Sequence, residues 1–166
     1  MSTRLARKNY VMPIFSPVYI LVSLLVASLA LVACSGNSPA NLGISGSGMA
    51  PCPSSPNCVS SDALDSDHQV SPFLLAVPAA DAWPVVRDFV SKLPRTRIIH
   101  EKPGYLHAEC RSALLGFVDD LELDLRSSEG SVAIRSASRL GYSDFGVNRR
   151  RVEALRTFLI SRRIVQ

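Results

Sequence analysis

The stretch YLHAECR at residues 105–111 alternates strictly between apolar and polar side chains. Leu106, Ala108 and Cys110 fall on one side of an extended chain, and the polar side chains fall on the other. Residues 114–125 (LLGFVDDLELDL) end in the same alternation, with leucines set against carboxylates. A period of two is typical of strands that bury one face. The two stretches therefore predict neighbouring strands of an antiparallel sheet.

Helical periodicity flanks these strands. Residues 79–93 (AADAWPVVRDFVSKL) and residues 145–164 carry apolar side chains at helical spacing. Shorter strand patterns at residues 95–101 and 131–135 complete the order helix, four strands, helix. Because the connections are short, we expect an α+β fold: a two-layer sandwich with a four-stranded antiparallel sheet and two helices packed on one face.

The other face of the predicted sheet is polar. Its side chains are Tyr105, His107, Glu109, Arg111, Asp120, Glu122, Asp124 and Arg135, with Arg139 beside them. We interpret this face as a solvated surface with cross-strand ion pairs, which is the commoner case. His107 is predicted to be a solvated surface histidine rather than part of a weak metal site, so no metal is assigned.

The N-terminal part of the chain has the layout of a secretory leader. Residues 1–17 carry three basic side chains and no acid, and residues 18–33 are almost wholly apolar. The following LVAC at residues 31–34 resembles a lipobox, which implies removal of residues 1–33 and attachment of diacylglycerol, with acyl chains such as palmitate, to Cys34. An uncleaved anchor helix is the alternative, although sixteen residues fall short of the ~20 that span a bilayer.

Acylation would hold the mature chain on a membrane in the cell envelope. Ser35 stands where an aspartate would resemble an inner-membrane retention signal, so we expect the periplasmic face of the outer membrane. Residues 34–50 are rich in Gly, Ser and Asn and predict a flexible tether. Residues 51–166 then form a single domain.

The net charge of the predicted mature chain bears on nucleic-acid binding. The predicted leader holds three of the 18 basic residues, so the mature chain has 15 against 14 acidic residues and is nearly neutral. This balance gives no support to nucleic-acid binding. Eight arginines nevertheless lie between residues 135 and 163, where Asp144 and Glu153 are the only acids. An anionic partner would be expected at that end.

Three cysteines remain after Cys34. Cys52 and Cys58 enclose a short loop with two prolines, and export would place them where disulfides persist. We expect a structural disulfide, since thioredoxin-like redox pairs use Cys-x-x-Cys and a zinc site would need two further ligands. Cys110 lies on the apolar side of its strand and is expected to be a small buried hydrophobe.

Four stretches together resemble a known family. They are PCPSSPNCVSS at 51–61, YLHA at 105–108, GFVDD at 116–120 and RSASRLGYSDFGVNRRRV at 135–152. These stretches are similar to the family catalogued as domain of unknown function 1499, over about residues 50–160. The resemblance implies a family domain, here in an uncharacterised bacterial lipoprotein, and it implies no reaction.

The last of these stretches predicts a polar network where the second helix begins. Asp119 follows the phase of the inward leucines, where an unpaired carboxylate would be costly, and Asp144 or Ser143 would cap the helix. We expect a buried or half-buried network of Asp119, Arg135 or Arg139, Ser136, Ser138, Asp144 and Asn148. Such a network commonly serves only to fix a loop. The alternative is a ligand-binding site, whose candidate residues are Asp119, Arg135, Ser136, Ser138, Arg139, Asp144, Asn148 and Arg149.

Two functions remain open. The preferred hypothesis is a non-catalytic binding or interaction module that meets an envelope protein, a cell-wall component or a lipid headgroup. The alternative is an enzyme or small-ligand site for an anionic substrate built around residues 139–150, with Arg139 and Arg149 as a clamp and Asp119 or Asp144 as acid/base. No Gly-x-Ser-x-Gly, Ser-x-x-Lys, His-Glu-x-x-His or phosphate-loop motif occurs. We therefore assign no catalytic residue and no cofactor.

Overall fold

The structure, a computed structural model, describes residues 17–22, 36–46 and 48–166. Residues 17–22 are helical and exposed. Within the described ranges, no helix combines the length and the apolar character needed to cross a membrane. Cys34 and most of the predicted leader lie outside these ranges, so the signal peptide and the lipidation stay predictions.

The domain contains eight short or medium strands and two helices within residues 36–46 and 48–166. The strands are β1 (Ile44–Ser45), β2 (Gly48–Met49), β3 (Cys58–Ser60), β4 (Phe73–Leu74), β5 (Thr96–Lys102), β6 (Tyr105–Arg111), β7 (Val118–Arg126) and β8 (Ser131–Ser138). The helices are α1 (Ala79–Lys92) and α2 (Val147–Ser161). A turn of 3-10 helix at Ser127–Glu129 joins β7 to β8.

Six of these strands form one antiparallel sheet. Its order is β3-β8-β7-β6-β5, and β4 pairs with the first residues of β8. The large antiparallel sheet is confirmed, whereas the predicted number of four strands was wrong. Cys58 lies opposite Ala137 and Phe73 opposite Val132, so β3 and β4 extend the sheet beyond β8. Strands of three and two residues are too short to show an alternating pattern.

Both helices cover the apolar face of this sheet. Leu106, Leu121 and Ile134 from three neighbouring strands are buried in one cluster with Val86 of α1 and Leu155 of α2. Full burial of each such side chain contributes about 1.5–3 kcal/mol, which is the main force that joins the two layers.

One loop replaces part of a predicted strand. The prediction began a strand at Leu114, but β7 begins at Val118. Gly116 has a φ of 67°, a left-handed conformation that interrupts extended structure. Residues 112–117 therefore form the loop between β6 and β7.

The polar face of the sheet is covered, which corrects the prediction of a solvated surface. β1 and β2 form a hairpin, the Gly43 amide donates to Glu122 Oε1 at 2.7 Å, and Met49 and Ala50 are buried. Beneath this segment His107 is only 4 % exposed, so it is not a solvated histidine. The flexible tether predicted for residues 34–50 is therefore wrong for the hairpin. Its composition gave no sign of this contact, because a backbone amide makes the main polar interaction with the sheet.

The strand at one edge of the sheet is irregular. β5 pairs only with β6, and its register shifts between Ile98 and His100 in a β-bulge. Arg97, Glu101 and Lys102 are exposed along the same strand.

Candidate functional site

Two consecutive carboxylates on β7 point to opposite faces of the sheet. Asp119 lies opposite Ser138 and faces α2, while Asp120 lies opposite Ala137 and faces the covering N-terminal segment. Each carboxylate belongs to a separate set of polar contacts. The core-face network comprises Asp119, Ser136, Ser138, Asp144, Asn148 and Arg151. On the outer face, Tyr105 and Arg135 contact Glu122, and His107, Arg139 and Glu109 form a second group with Asp120; we call these two neighbouring groups together the outer-face network.

Asn148 is the centre of the core-face network. Its fully buried amide oxygen accepts hydrogen bonds from Ser136 Oγ at 2.6 Å and from Arg151 Nη1 at 2.7 Å. Its amide nitrogen donates to Ser138 Oγ at 3.0 Å and to Asp144 Oδ2 at 2.9 Å. One side chain thus ties the first turn of α2 to the end of β8.

Arg151 supplies the positive charge of this network. Its Nη2 lies 2.7 Å from Asp119 Oδ2, and Ser138 Oγ donates to the other Asp119 oxygen at 2.6 Å. The prediction placed Arg135 or Arg139 in this position, and that choice was wrong. Arg135 alternates with Ser136 along β8, so the two side chains lie on opposite faces of the sheet.

Asp144 was one of the two expected N-cap residues, but Gly146 holds that position; Asp144 lies two residues earlier and binds a first-turn amide of α2 through its side chain. Its carboxylate accepts the amide of Gly146 at 2.9 Å and the amide of Asn148 at 2.7 Å. Gly146, with a φ of 76°, occupies the position just before the helix. A carboxylate here also interacts favourably with the positive end of the helix dipole.

Glu122 is the first of two buried acids in the outer-face network. It is fully buried and accepts hydrogen bonds from Tyr105 Oη at 2.7 Å, from Arg135 Nη1 at 3.1 Å and from the Gly43 amide. Burial, followed by the neighbouring carboxylate, raises the pKa of Tyr105 well above its usual range. The tyrosine therefore remains a hydrogen-bond donor.

Asp120 is the second buried acid. Arg139 binds it through two nitrogens, Nη2 to Oδ1 at 2.7 Å and Nε to Oδ2 at 2.9 Å, and His107 Nε2 lies 2.7 Å from Oδ1. Burial alone would raise the pKa of Asp120, but the hydrogen bonds from Arg139 and His107 outweigh it and lower the pKa. Arg139 also donates to Glu109 Oε1 at 2.7 Å, so its charge is shared between two carboxylates.

The eight predicted ligand residues therefore separate into three places. Asp119, Ser136, Ser138, Asp144 and Asn148 come together in the core-face network. Arg135 and Arg139 lie across the sheet in the outer-face network. Arg149 belongs to neither, because its guanidinium donates to the carbonyl oxygens of Gln69 and Asp67 at 2.9 and 2.7 Å.

An open groove of about 390 Å³ lies beside the core-face network. Its walls are the β6–β7 loop and the β8–α2 loop, and its polar lining includes Asp119, Ser138 and Asp144. Large side chains of the two loops form what we call the apolar rim: Leu114, Leu115, Phe117, Leu140 and Phe145 line the groove, and Tyr142 is exposed in the β8–α2 loop beside it. Leu114 is 91 % exposed and Phe145 is 87 % exposed, so the rim projects outward.

A second recess of about 360 Å³ adjoins the groove at Asp119. It contains Cys110, a free and buried thiol, as the sequence led us to expect. Burial raises the pKa of Cys110, and Thr96 Oγ1 contacts its sulfur at 3.5 Å. The neutral thiol is a poor nucleophile.

The disulfide between Cys52 and Cys58 is confirmed. It closes the loop that carries Asn57, whose side chain donates to the Gly141 carbonyl at 2.7 Å and whose own carbonyl accepts from Asn148 Nδ2 at 3.0 Å. The disulfide loop thus supports the β8–α2 wall of the groove.

Residues 48–159 match the family described as proteins of unknown function, DUF1499. The chain belongs to the DUF1499 family. The match covers the disulfide, both networks and the groove, so all of these are parts of its DUF1499 domain. No curated protein and no solved structure matches the chain.

Two features of this DUF1499 domain escaped the sequence-based predictions. Arg151 could have been recognised from helical phase, because it lies three residues after Asn148 and shares its face of α2. The apolar rim was partly hidden because Leu114 and Leu115 were assigned to a strand. Among the described residues, no group of three or more His, Cys, Asp or Glu side chains is placed to hold a metal ion.

Proposed function

We propose that this DUF1499 chain is a lipid-anchored, non-catalytic binding module of the bacterial cell envelope, with the groove and its rim as the contact surface. The observation that carries the proposal is the outward projection of the apolar rim. Large exposed apolar patches on soluble domains mark interaction sites. Six such side chains on two adjacent loops therefore favour contact with a partner over an ordinary solvated surface.

The polar groups of the groove favour binding over catalysis. The Asp119 carboxylate is paired with Arg151 and accepts the Ser138 hydroxyl. The Asp144 carboxylate is committed to two backbone amides. These interactions fix the loops, and none of them activates a nucleophile by a neighbouring base.

The alternative of an anionic substrate has less support. Arg139 is already paired with Asp120 and Glu109, and Arg149 donates to two backbone carbonyls. Arg150 donates to the Phe145 carbonyl at 2.7 Å. An anion would have to displace these protein groups before it could bind the predicted clamp.

Export and lipidation complete the proposal. The Cys52–Cys58 disulfide fits an oxidising compartment, and acylation at Cys34 would attach the domain to the periplasmic face of the outer membrane. A partner at the groove would then be a component of the envelope rather than a nucleic acid.

The anchor can be tested in a bacterial host that expresses the full chain. Metabolic labelling with an alkyne analogue of palmitate should mark the product and place it in the outer-membrane fraction, and Cys34→Ala should abolish both. Recovery of an unlabelled chain that keeps its leader would refute the lipoprotein assignment.

The contact surface requires a separate test in intact cells. A photo-crosslinking amino acid at position 145 should capture an envelope component, whereas the same group at position 74 should not. Leu74 is a suitable control because it is half exposed but lies at the opposite end of the sheet. Equal capture at both positions would exclude the groove as the contact surface.

A further inference from the structure

We propose that the apolar rim docks into the interfacial layer of a lipid bilayer, the same membrane that carries the anchor. This inference rests on the proposed function, because it takes acylation of Cys34 as given. It names the bilayer surface, rather than a protein or a second copy of the chain, as the partner of the groove.

The position of the N-terminal segment is the first argument. Gly36 lies against the base of the rim: a Cβ built on it would stand 3.0 Å from Arg139 Cβ and 3.1 Å from Leu140 Cγ. Two residues of chain reach at most about 7 Å when fully extended. An acyl group on Cys34 would therefore attach the chain through Gly36 at the end of the domain where the groove opens.

The direction of the rim side chains is the second argument. The β6–β7 and β8–α2 loops leave the sheet at the same end, since Asp119 at the start of β7 lies opposite Ser138 at the end of β8. Leu114, Phe145 and Tyr142 extend away from the domain, and Tyr142 is 75 % exposed. A tyrosine among leucine and phenylalanine suits the boundary between acyl chains and headgroups. A site for a small enclosed ligand would instead hold its apolar lining inward.

The charge around the rim is the third argument. Arg95, Arg111 and Arg150 are exposed beside the two loops. Asp119 is paired with Arg151, Glu109 is paired with Arg139 and Arg111, and the carboxylate of Asp144 accepts backbone amides. Exposed cations without an ion pair among the described residues, here Arg95 and Arg150, are complementary to a surface that contains anionic phospholipids.

Within the described part of the chain, the turns between strands at the opposite end of the sheet hold no large apolar side chain. The β7–β8 turn is Ser127–Glu129, and the β5–β6 turn consists of Pro103 and Gly104. These polar turns would face the aqueous periplasm when the rim faces the membrane. The strands would then run roughly perpendicular to the plane of the membrane.

Fluorescence quenching by lipids can test the orientation. The acylated protein, purified from cells, is reconstituted into vesicles of phosphatidylethanolamine and phosphatidylglycerol with brominated acyl chains. In a Trp83→Phe background, single tryptophans are introduced by Phe145→Trp, Leu114→Trp or, as the control, Leu74→Trp. Two independent rim positions protect the test against one variant that folds poorly.

We expect roughly two-fold quenching at positions 145 and 114, since side chains docked at an interface lie about 5–10 Å into the boundary layer, and no quenching at position 74. If all three positions escape quenching while flotation shows the acylated chain on the vesicles, the docking proposal is wrong and the lipid-anchored module stands. If the purified chain carries no acyl group, the proposed function fails, and the docking proposal fails with it.

A protein partner gives a different result. A tryptophan at position 145 that is shielded from aqueous acrylamide but not quenched by brominated lipid would be covered by protein. Chemical crosslinking would then show whether the cover is a second copy of the chain. Either result would overturn the bilayer as the occupant of the rim.

Discussion

The two networks contain similar kinds of side chain, but they differ in how far solvent can reach them. In the outer-face network Asp120 is 1 % exposed, whereas Asp119 of the core-face network is 8 % exposed and lines the open groove. Through the hydrogen bond from the Gly43 amide to Glu122, the outer-face network attaches the N-terminal segment to the sheet, and the core-face network shapes the lining of the groove. Of these two adjacent carboxylates, Asp120 belongs to the buried contacts of the outer face, and Asp119 belongs to the lining of the open groove.

The largest effect is expected when the outer-face network loses its shared cation. Arg139→Met would leave Asp120 buried without its bidentate partner, which costs about 3–5 kcal/mol of unfolding free energy. Urea unfolding measures this loss. The control is Arg87→Met, which breaks the exposed pair with Glu101 and should cost less than about 1 kcal/mol. An equal loss of unfolding free energy in the two variants would show that the outer-face network is not shielded from water.

A smaller loss is expected on the core face. Arg151→Met removes the partner of Asp119, but the freed carboxylate can turn towards water in the groove, so we expect a loss of about 2–3 kcal/mol. Parallel urea titrations of Arg139→Met and Arg151→Met compare the two losses of unfolding free energy. The difference between them reports how much more easily water reaches Asp119 than Asp120. If Arg151→Met lost more unfolding free energy than Arg139→Met, Asp119 rather than Asp120 would be the carboxylate that water cannot reach.

The disulfide is expected to contribute about 2 kcal/mol, because it closes a short loop. The paired change Cys52→Ser and Cys58→Ser should lower the urea midpoint by the same amount as reduction of the parent protein. Cys110→Ser is the control, because it replaces a cysteine without removing a disulfide. If the paired variant matched the parent under oxidising conditions, the loop would not support the groove.

The smallest effect concerns acid stability. The pKa of Asp120 is lowered in the fold, so its contribution is complete above its ordinary unfolded value near 3.9 and is lost as pH falls through the lower folded value. Unfolding measured between about pH 5 and about pH 2.5 should show a weaker pH dependence for Asp120→Asn than for the parent. An identical pH profile in the two proteins would mean that Asp120 is not stabilised as an anion.

The sequence was most informative where a pattern repeats. The alternation in β6 and β7 and the helical spacing in α2 were enough to predict an antiparallel sheet covered on its apolar face. Cys52 and Cys58 were paired correctly because the loop between them is short. The leader and the anchor at Cys34 stay predictions.

The sequence was least informative where contacts depend on backbone or on long-range pairing. β3 and β4 are recognisable only through their partner β8. Glu122 accepts a backbone amide from Gly43, a contact that no side-chain pattern reveals. Arg135 and Arg139 lie outside the core-face network because they alternate with Ser136 and Ser138 along the chain and so point to the other face of the sheet.

The bulged edge of β5 bears on how neighbouring copies would behave in a crowded lipid layer. A shifted register and a row of exposed charges prevent an incoming strand from forming a continuous ladder. If the chain is anchored as proposed, its copies would diffuse and collide side by side without polymerising through their sheets. High surface density would increase encounters with other envelope molecules without creating fibrils.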